Sequence, residues 1–460
     1  MCMGSQEFRK RIKNDLKQSI TQIENKTAFR PRILTWPYGE FNKTGMEEVQ
    51  KLGFELIFTL QPQISQISML PNINRNIITK VMEYDAFASK IDKKFVLKNK
   101  MRAIQIDLDM IVNPKSLEES DHNLGILIER LIAYGVNTVI IQAFCDRDAT
   151  GNIRSLYFSN STMPVEMDFL SHAVNRIRIR GMRVYVWMPV LSFELPDKDL
   201  NESLKVKELK DSEIKTTSSW YRRLTPFDKR CRMIVKSLYR DLSAHVRFDG
   251  ILFQDDAYLT DHEDFHPAAL RTFKDRYGSI ADPKQLDDDR IRDQWTQLKT
   301  EKLNSFIQEL IETVQEYRPL AKTARNIYSI VLLNPYAQEW FSQNFESYLE
   351  NYDYTVIMAY PQMEGLKDLK DIKRWFKGLI NIVDKNNAHK KVIFKVQSFD
   401  WGKNQWVNPD LFKKELRFLV ASGVQNLAYY PDNVFENQPK LDMISSIIST
   451  RHFPRSWRQK

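Results

Sequence analysis

LIERLIAYG at 127–135 runs directly into VNTVIIQAF at 136–144, and this junction decides the fold. The first half places apolar residues at helical spacing and stops at Gly135. The second half is apolar and β-branched almost throughout, as a buried strand is. Glycine suits the left-handed position that closes a helix. The same grammar returns as AVNRIRIRG then MRVYVWMPV, hinged at Gly181, and as LRFLVASG then VQNLAYYP, hinged at Gly423. Strands alternating with helices imply a parallel sheet, because parallel neighbours need a crossover connection.

Working outward, five more strands have the same character: RAIQIDLDMI (102–111), FDGILFQDD (248–256), KTARNIY (322–328), YTVIMAYPQ (354–362) and KVIFKVQSF (391–399). Eight strands with helical patterns between them fit an α/β fold of the (β/α)₈ TIM-like type. They spread over about 350 residues, against ~250 for a typical barrel. The competing doubly wound sheet would carry a glycine-rich phosphate loop after its first strand, and none is present. P-loop, kinase and nucleophile-elbow motifs are absent from the sequence as well. Residues 281–318 read as a loop followed by one long helix.

Residues 98–450 are therefore assigned to the barrel, 1–97 to a separate segment and 451–460 to a basic tail containing Arg451, Arg455, Arg458 and Lys460. In the first segment MEEVQKLG followed by FELIFTLQP repeats the helix–glycine–strand grammar once, after TWPYGEFN. One or two βα units are too few to bury a core alone. The segment is expected to pack on the barrel or to be the end of a truncated domain.

Composition narrows the function classes. A net charge of +9 permits attraction to nucleic acid or an anionic membrane. The Lys and Arg residues are nevertheless scattered among acids, and the terminal cluster reads as a solvated tail, so no nucleic-acid partner is expected. Cys2, Cys145 and Cys231 are odd in number and far apart, which leaves no readable disulfide framework or metal clip. No apolar run approaches the roughly 18 residues of a membrane span. The opening MCMGSQEFRKRIKND shows no signal-peptide h-region.

Catalytic groups of a barrel lie at the C-terminal ends of its strands. Those ends are acidic: Asp107 and Asp109 after the first strand, Asp146 after the second, Asp255 and Asp256 after the fourth with Asp261 beyond, Glu364 after the sixth. Carboxylates buried near one another separate in pKa, giving the acid and the base or nucleophile of glycoside hydrolysis. Trp187, Trp401, Tyr429 and Tyr430 at the same ends could stack on pyranose faces, and an acid-lined cleft suits a cationic amino sugar. Asp107 and Asp109 could equally be structural hydrogen-bonders, and Asp249 reads as orienting a strand start. Adjacent Asp255 and Asp256 point to opposite faces of a strand, and spacing alone does not choose between them. His262, Glu263 and His266 match H-E-x-x-H, but Pro267 pushes His266 out of the helical conformation this zinc motif requires. No metal is expected.

FDGILFQDDAYLTDHED, together with IDLDMI, QAFCDRD, WMPVLSFEL, YRRLTPFD, KTARNIY, EWFSQNF, MAYPQMEG and YYPDNVFENQP, closely resembles the bacterial poly-β-1,6-N-acetylglucosamine N-deacetylases of the PgaB type. The likeness runs in order from about Arg102 onward. It implies that the barrel is an endo-acting hydrolase of partially de-N-acetylated polymer, used in biofilm exopolysaccharide export, in the periplasm or at the outer membrane. An outer-membrane export porin is the implied protein partner. Carried over by motif, Asp255 (or Asp256) is the acid and Glu364 its partner carboxylate, with Tyr221, Asp261, Trp340 and Trp401 as binding residues. Asp107, Asp109, Trp187 and Tyr430 complete the expected substrate-binding set. The sequence departs from the family at Gln254, where the family carries His, so no role is carried over to that side chain. TWPYGEFN, with Arg32, Trp36, Pro37 and Tyr38, resembles the last part of the deacetylase domain. The deacetylase metal ligands do not precede it here, so neither a metal cofactor nor deacetylation is expected. The alternative function is a non-catalytic module that guides polysaccharide for export.

Overall fold

The eight strands form a closed parallel barrel: Arg102–Ile106, Thr138–Gln142, Arg183–Met188, Gly250–Phe253, Lys322–Tyr328, Tyr354–Ala359, Val392–Gln397 and Asn426–Tyr430. Each pairs with its successor, and the eighth returns to the first through Leu427↔Arg102 to Tyr429↔Ile104. These are the eight strands read from the sequence. In the computed structural model, which describes residues 5–60, 65, 67–75, 100–211, 213–278, 286 and 288–450, the chain divides into two units. One is Met1–Asn99 with Glu312–Pro319; the other is Lys100–Ile311 with Leu320–Lys460.

Local chemistry explains the junction that decides the fold. Helix Leu117–Tyr134 opens at Ser116, whose hydroxyl accepts from Glu119 N at 3.1 Å, with Glu118 and Glu119 in its first turn. Acids there complement the positive end of the helix dipole. It closes at Gly135, whose φ of 67° lets its N–H turn back to Leu131 O at 3.1 Å. The second strand follows, buried at every residue. Asp249 orients a strand start, as read: it accepts Arg178 at 2.9 and 3.0 Å and Val184 N at 2.8 Å, joining the third and fourth strands at the barrel's foot.

A polar layer lies in the barrel interior. Lys395 Nζ donates to Gln105 Oε1 at 3.1 Å and to Asn326 Oδ1 at 2.9 Å. The three residues come from the seventh, first and fifth strands, in keeping with the rule that a layer is filled from alternate strands. Burial pushes the Lys395 ammonium down to about 8, opposed by the charge of Asp255.

The first unit contains more than the single helix–glycine–strand repeat read from the sequence. It holds a three-stranded parallel sheet (Ile33–Thr35, Leu56–Thr59, Asn72–Asn74) and helices Ser5–Thr27 and Lys43–Lys51 around a small core of its own. The opening helix reads as polar, yet Ile12, Leu16 and Ile20 recur every four residues and face Trp36, Val49, Phe54 and Ile57. Of the TWPYGEFN motif, Trp36 enters this core while Tyr38 is exposed; Arg32 pairs with Glu55. The basic tail at 451–460 lies outside the described residues.

Candidate active site

Asp255 follows the fourth strand, half-buried, and its Oδ2 accepts two phenolic hydrogen bonds. Tyr221 donates at 3.1 Å and Tyr328 at 3.3 Å. Tyr221 comes from the long loop after the third strand. It rests on Gly151, where a Cβ would fall 2.7 Å from the Tyr221 ring, so only glycine leaves room. Tyr328 closes the fifth strand. The residue after it, Ser329, donates to Glu364 Oε1 at 2.7 Å. Two consecutive residues at the fifth strand's end thus hold one carboxylate each of the pair named from the sequence. Tyr221 was named from the sequence as a binding residue; Tyr328 and Ser329 were not singled out there.

Asp256 requires a correction as a catalytic candidate. It is fully buried, and its carboxylate accepts the backbone N–H groups of Val190 (3.0 Å), Leu191 (2.6 Å) and Ser192 (2.7 Å) after the third strand. Burial raises its pKa against those three bonds. The alternation of the strand had demanded that one aspartate face away, and Asp256 is the one.

Buried cations pin the loop that carries Asp255. Arg325 Nη2 donates to Ala257 O at 3.1 Å, Arg223 donates to Tyr258 O, and Lys299 donates to Thr260 O. Arg223 also grips Glu263 through 2.7 and 2.8 Å bonds and lies 3.9 Å from the Tyr258 ring centre. Burial opposes the charge of Glu263, yet Arg223, Thr217 and the Thr260 N–H together hold its pKa below the ordinary range. The H-E-x-x-H residues do not converge. His262 is exposed, Glu263 is spent on Arg223, and His266 caps helix Pro267–Tyr277 by accepting from Ala268 N at 3.1 Å. Asp261 stands 3.6 Å from His262 at the loop surface.

A second acidic group forms at the first and second strand ends. Asp109 accepts Tyr157 OH at 2.6 Å, Gln142 Nε2 at 2.8 Å and Asp146 N at 3.0 Å. With both oxygens occupied by the protein, Asp109 fits its structural reading. Asp107 is pushed up to about 7, first by burial and then by the charge of Asp109, with the Tyr430 hydroxyl opposing. Asp146 is pushed up to about 6, chiefly by burial.

Two aromatic bands border these groups. In the first, Trp187 meets Tyr430 edge-on at 5.6 Å, Tyr430 stacks on Trp401 at 5.9 Å, and Trp401 meets Tyr360 at 5.7 Å. Trp187 is buried, whereas Trp401 is 41% exposed and can receive a sugar face. In the second, Tyr221, Tyr258, Tyr328 and Phe341 succeed one another at 6.3, 5.9 and 4.5 Å. Trp340, adjacent to Phe341, is 39% exposed. Tyr360, Tyr258 and Phe341 escaped the sequence reading because aromatics on buried elements are indistinguishable from ordinary core.

The model of hypothetical glycosyl hydrolase family 13 matches residues 105–430. The chain is 36% identical over 461 residues to the poly-β-1,6-N-acetyl-D-glucosamine N-deacetylase of Escherichia coli K12, an alignment covering 98% of this chain and 67% of that one. The glycoside hydrolase domain of PgaB (BpsB) from Bordetella bronchiseptica superposes with a TM-score of 0.72 at 29% identity, over 77% of this chain and all of that one. A β-galactosidase from Rahnella sp. R3, at a TM-score of 0.51 and 13% identity over 77% of this chain and 57% of that one, shares the fold alone. A barrel with its acidic and aromatic groups at the strand ends, matched along its length, places the chain in hypothetical glycosyl hydrolase family 13, among the PgaB-type poly-β-1,6-N-acetyl-D-glucosamine N-deacetylases.

Proposed function

We propose that this chain is an endo-acting glycoside hydrolase that binds and cleaves partially de-N-acetylated poly-β-1,6-N-acetyl-D-glucosamine during biofilm exopolysaccharide export, in the periplasm or at the outer membrane. The polymer is the one named for the E. coli relative. An outer-membrane export porin is the proposed recipient. The observation that carries the reading is the pair Asp255 and Glu364, presented by Tyr328 and Ser329 at one barrel mouth.

In this mechanism Asp255 is the proton donor. The tyrosines occupy Oδ2, and no bond from a described residue reaches Oδ1, which is left to give its proton to the glycosidic oxygen. Glu364 acts as base or nucleophile: either it takes a proton from the water that adds to the anomeric carbon as the glycosidic bond breaks, or it bonds to that carbon itself until water displaces it and returns a proton to Asp255. Trp401 stacks a pyranose ring, and Asp107 receives the ammonium of a de-N-acetylated sugar. Deacetylation is no part of this mechanism.

The test is product analysis. Wild-type protein should release short oligosaccharides from partially de-N-acetylated polymer. Asp255→Asn should lower the rate ~10²–10⁴-fold, the range of general acid catalysis. Equal fragments from both proteins, or none from either, would refute the reading in favour of a guiding module without catalysis.

A further inference from the structure

Glu364 rides on a tight turn after the sixth strand, closed by Met363 N to Tyr360 O at 3.1 Å and Gly365 N to Gln362 O at 3.1 Å. Two side-chain contacts fix this turn from below. Gln397 Oε1 accepts Met363 N at 3.2 Å, and Gln362 Nε2 donates to Glu415 Oε1 at 2.9 Å. Glu415 belongs to helix Pro409–Ala421 and is fully buried. Its other oxygen, Oε2, and Gln362 Oε1 are both buried without a hydrogen-bond partner. Both acceptors belong to the two groups already joined by that N–H···O bond, and one proton shared across the pair would satisfy both. A neutral carboxylic acid supplies it, whereas a carboxylate leaves both orphaned at a full desolvation cost.

We propose that Glu415 is a positioning residue held as a neutral acid, donating from Oε2 to Gln362 Oε1, so that a two-bond acid–amide pair anchors the turn bearing Glu364. The surroundings agree. Helix Pro409–Ala421 packs against helices Leu369–Lys385 and Leu441–Ile448. On the first, Lys373 lies 5.7 Å from the Phe418 ring centre and Asp371 pairs with Arg374 at 3.0 Å; the second brings Asp442. From the eighth strand, Tyr429 packs edge-on to Phe412 and gives its hydroxyl to Asp432 at 2.6 Å. None of these is hydrogen-bonded to Glu415 among the described residues, and no cation is paired with it. Burial accordingly pushes its carboxyl up to about 8, with Gln362 opposing. Above that pH the acid ionises, the second bond is lost, and the turn loosens from its anchor.

The role of Glu364 rests on the proposed hydrolase, but the anchor is tested without activity. Amide hydrogen exchange of residues 360–366 in the wild-type chain, corrected for intrinsic rates, is compared at pH 6.5 and 9.5. Protection should fall ~10-fold or more in this local opening. In Glu415→Gln, whose amide donates at every pH, protection should hold. Unchanged wild-type protection, or the same loss in both proteins, overturns the proposal, and the wild-type arm alone decides if the variant fails to fold. A turn that loosens as described in a chain without hydrolysis would refute the enzyme and leave the anchor standing.

Discussion

The ends of the fourth and sixth strands carry one proposed catalytic carboxylate each, and they are built in opposite ways. Asp255 sits in a loop pinned by Arg223, Lys299 and Arg325, with tyrosine hydroxyls on one oxygen. Glu364 stands exposed on a short turn, held at its carboxylate by Ser329 and from beneath by Gln397 and Gln362. The fourth-strand loop spends buried charge on rigidity; the sixth-strand turn spends hydrogen bonds between neutral groups and keeps its acid in contact with solvent. A proton donor gains from a fixed position relative to the leaving oxygen.

The largest expected effect contrasts the two adjacent aspartates. Asp255→Asn should abolish most activity while leaving urea unfolding little changed. Asp256→Ala strands three buried backbone N–H groups and should cost about 2–5 kcal/mol of stability. Loss of stability in Asp255→Asn and none in Asp256→Ala would reverse the assignment. Next, Ser329→Ala frees Glu364 and should lower kcat about 10-fold with a normal unfolding midpoint, since one hydrogen bond to a charged group is at stake. The smallest effect concerns pH. Asp107 has its folded pKa raised to about 7, so the folded chain holds a proton that the unfolded chain has released. Its contribution to stability is therefore present below the ordinary carboxylate range and is lost as pH rises toward about 7. Asp107→Asn should flatten that slope in melting temperature between pH 4 and 7; an unchanged slope would move the titration elsewhere.

The fold was legible because each unit repeats one physical device, an amphipathic helix stopped by glycine before a β-branched strand, as at Gly135. Strands buried on both faces cannot hide their apolar runs. The site was legible only as a set of strand-end acids. Period-two alternation said that Asp255 and Asp256 diverge, and the three N–H groups after the third strand decided which turns inward, a fact of tertiary structure. Tyr328, Ser329 and Lys395 carry no local signal, because their value lies in what other strands bring to them. The helix Ser5–Thr27 was missed for another reason: three apolar residues in a charged stretch are enough when the core they face is small.

Asp255 and Glu364 are proposed to act as one unit across the barrel mouth. A double-mutant cycle with Asp255→Asn, Glu364→Gln and their combination, read as the rate of oligosaccharide release, addresses it most directly. Groups that serve a single transition state are strongly non-additive. A double variant about as slow as the slower single one is expected. Losses that simply multiply would mean two carboxylates working apart, and would contradict it.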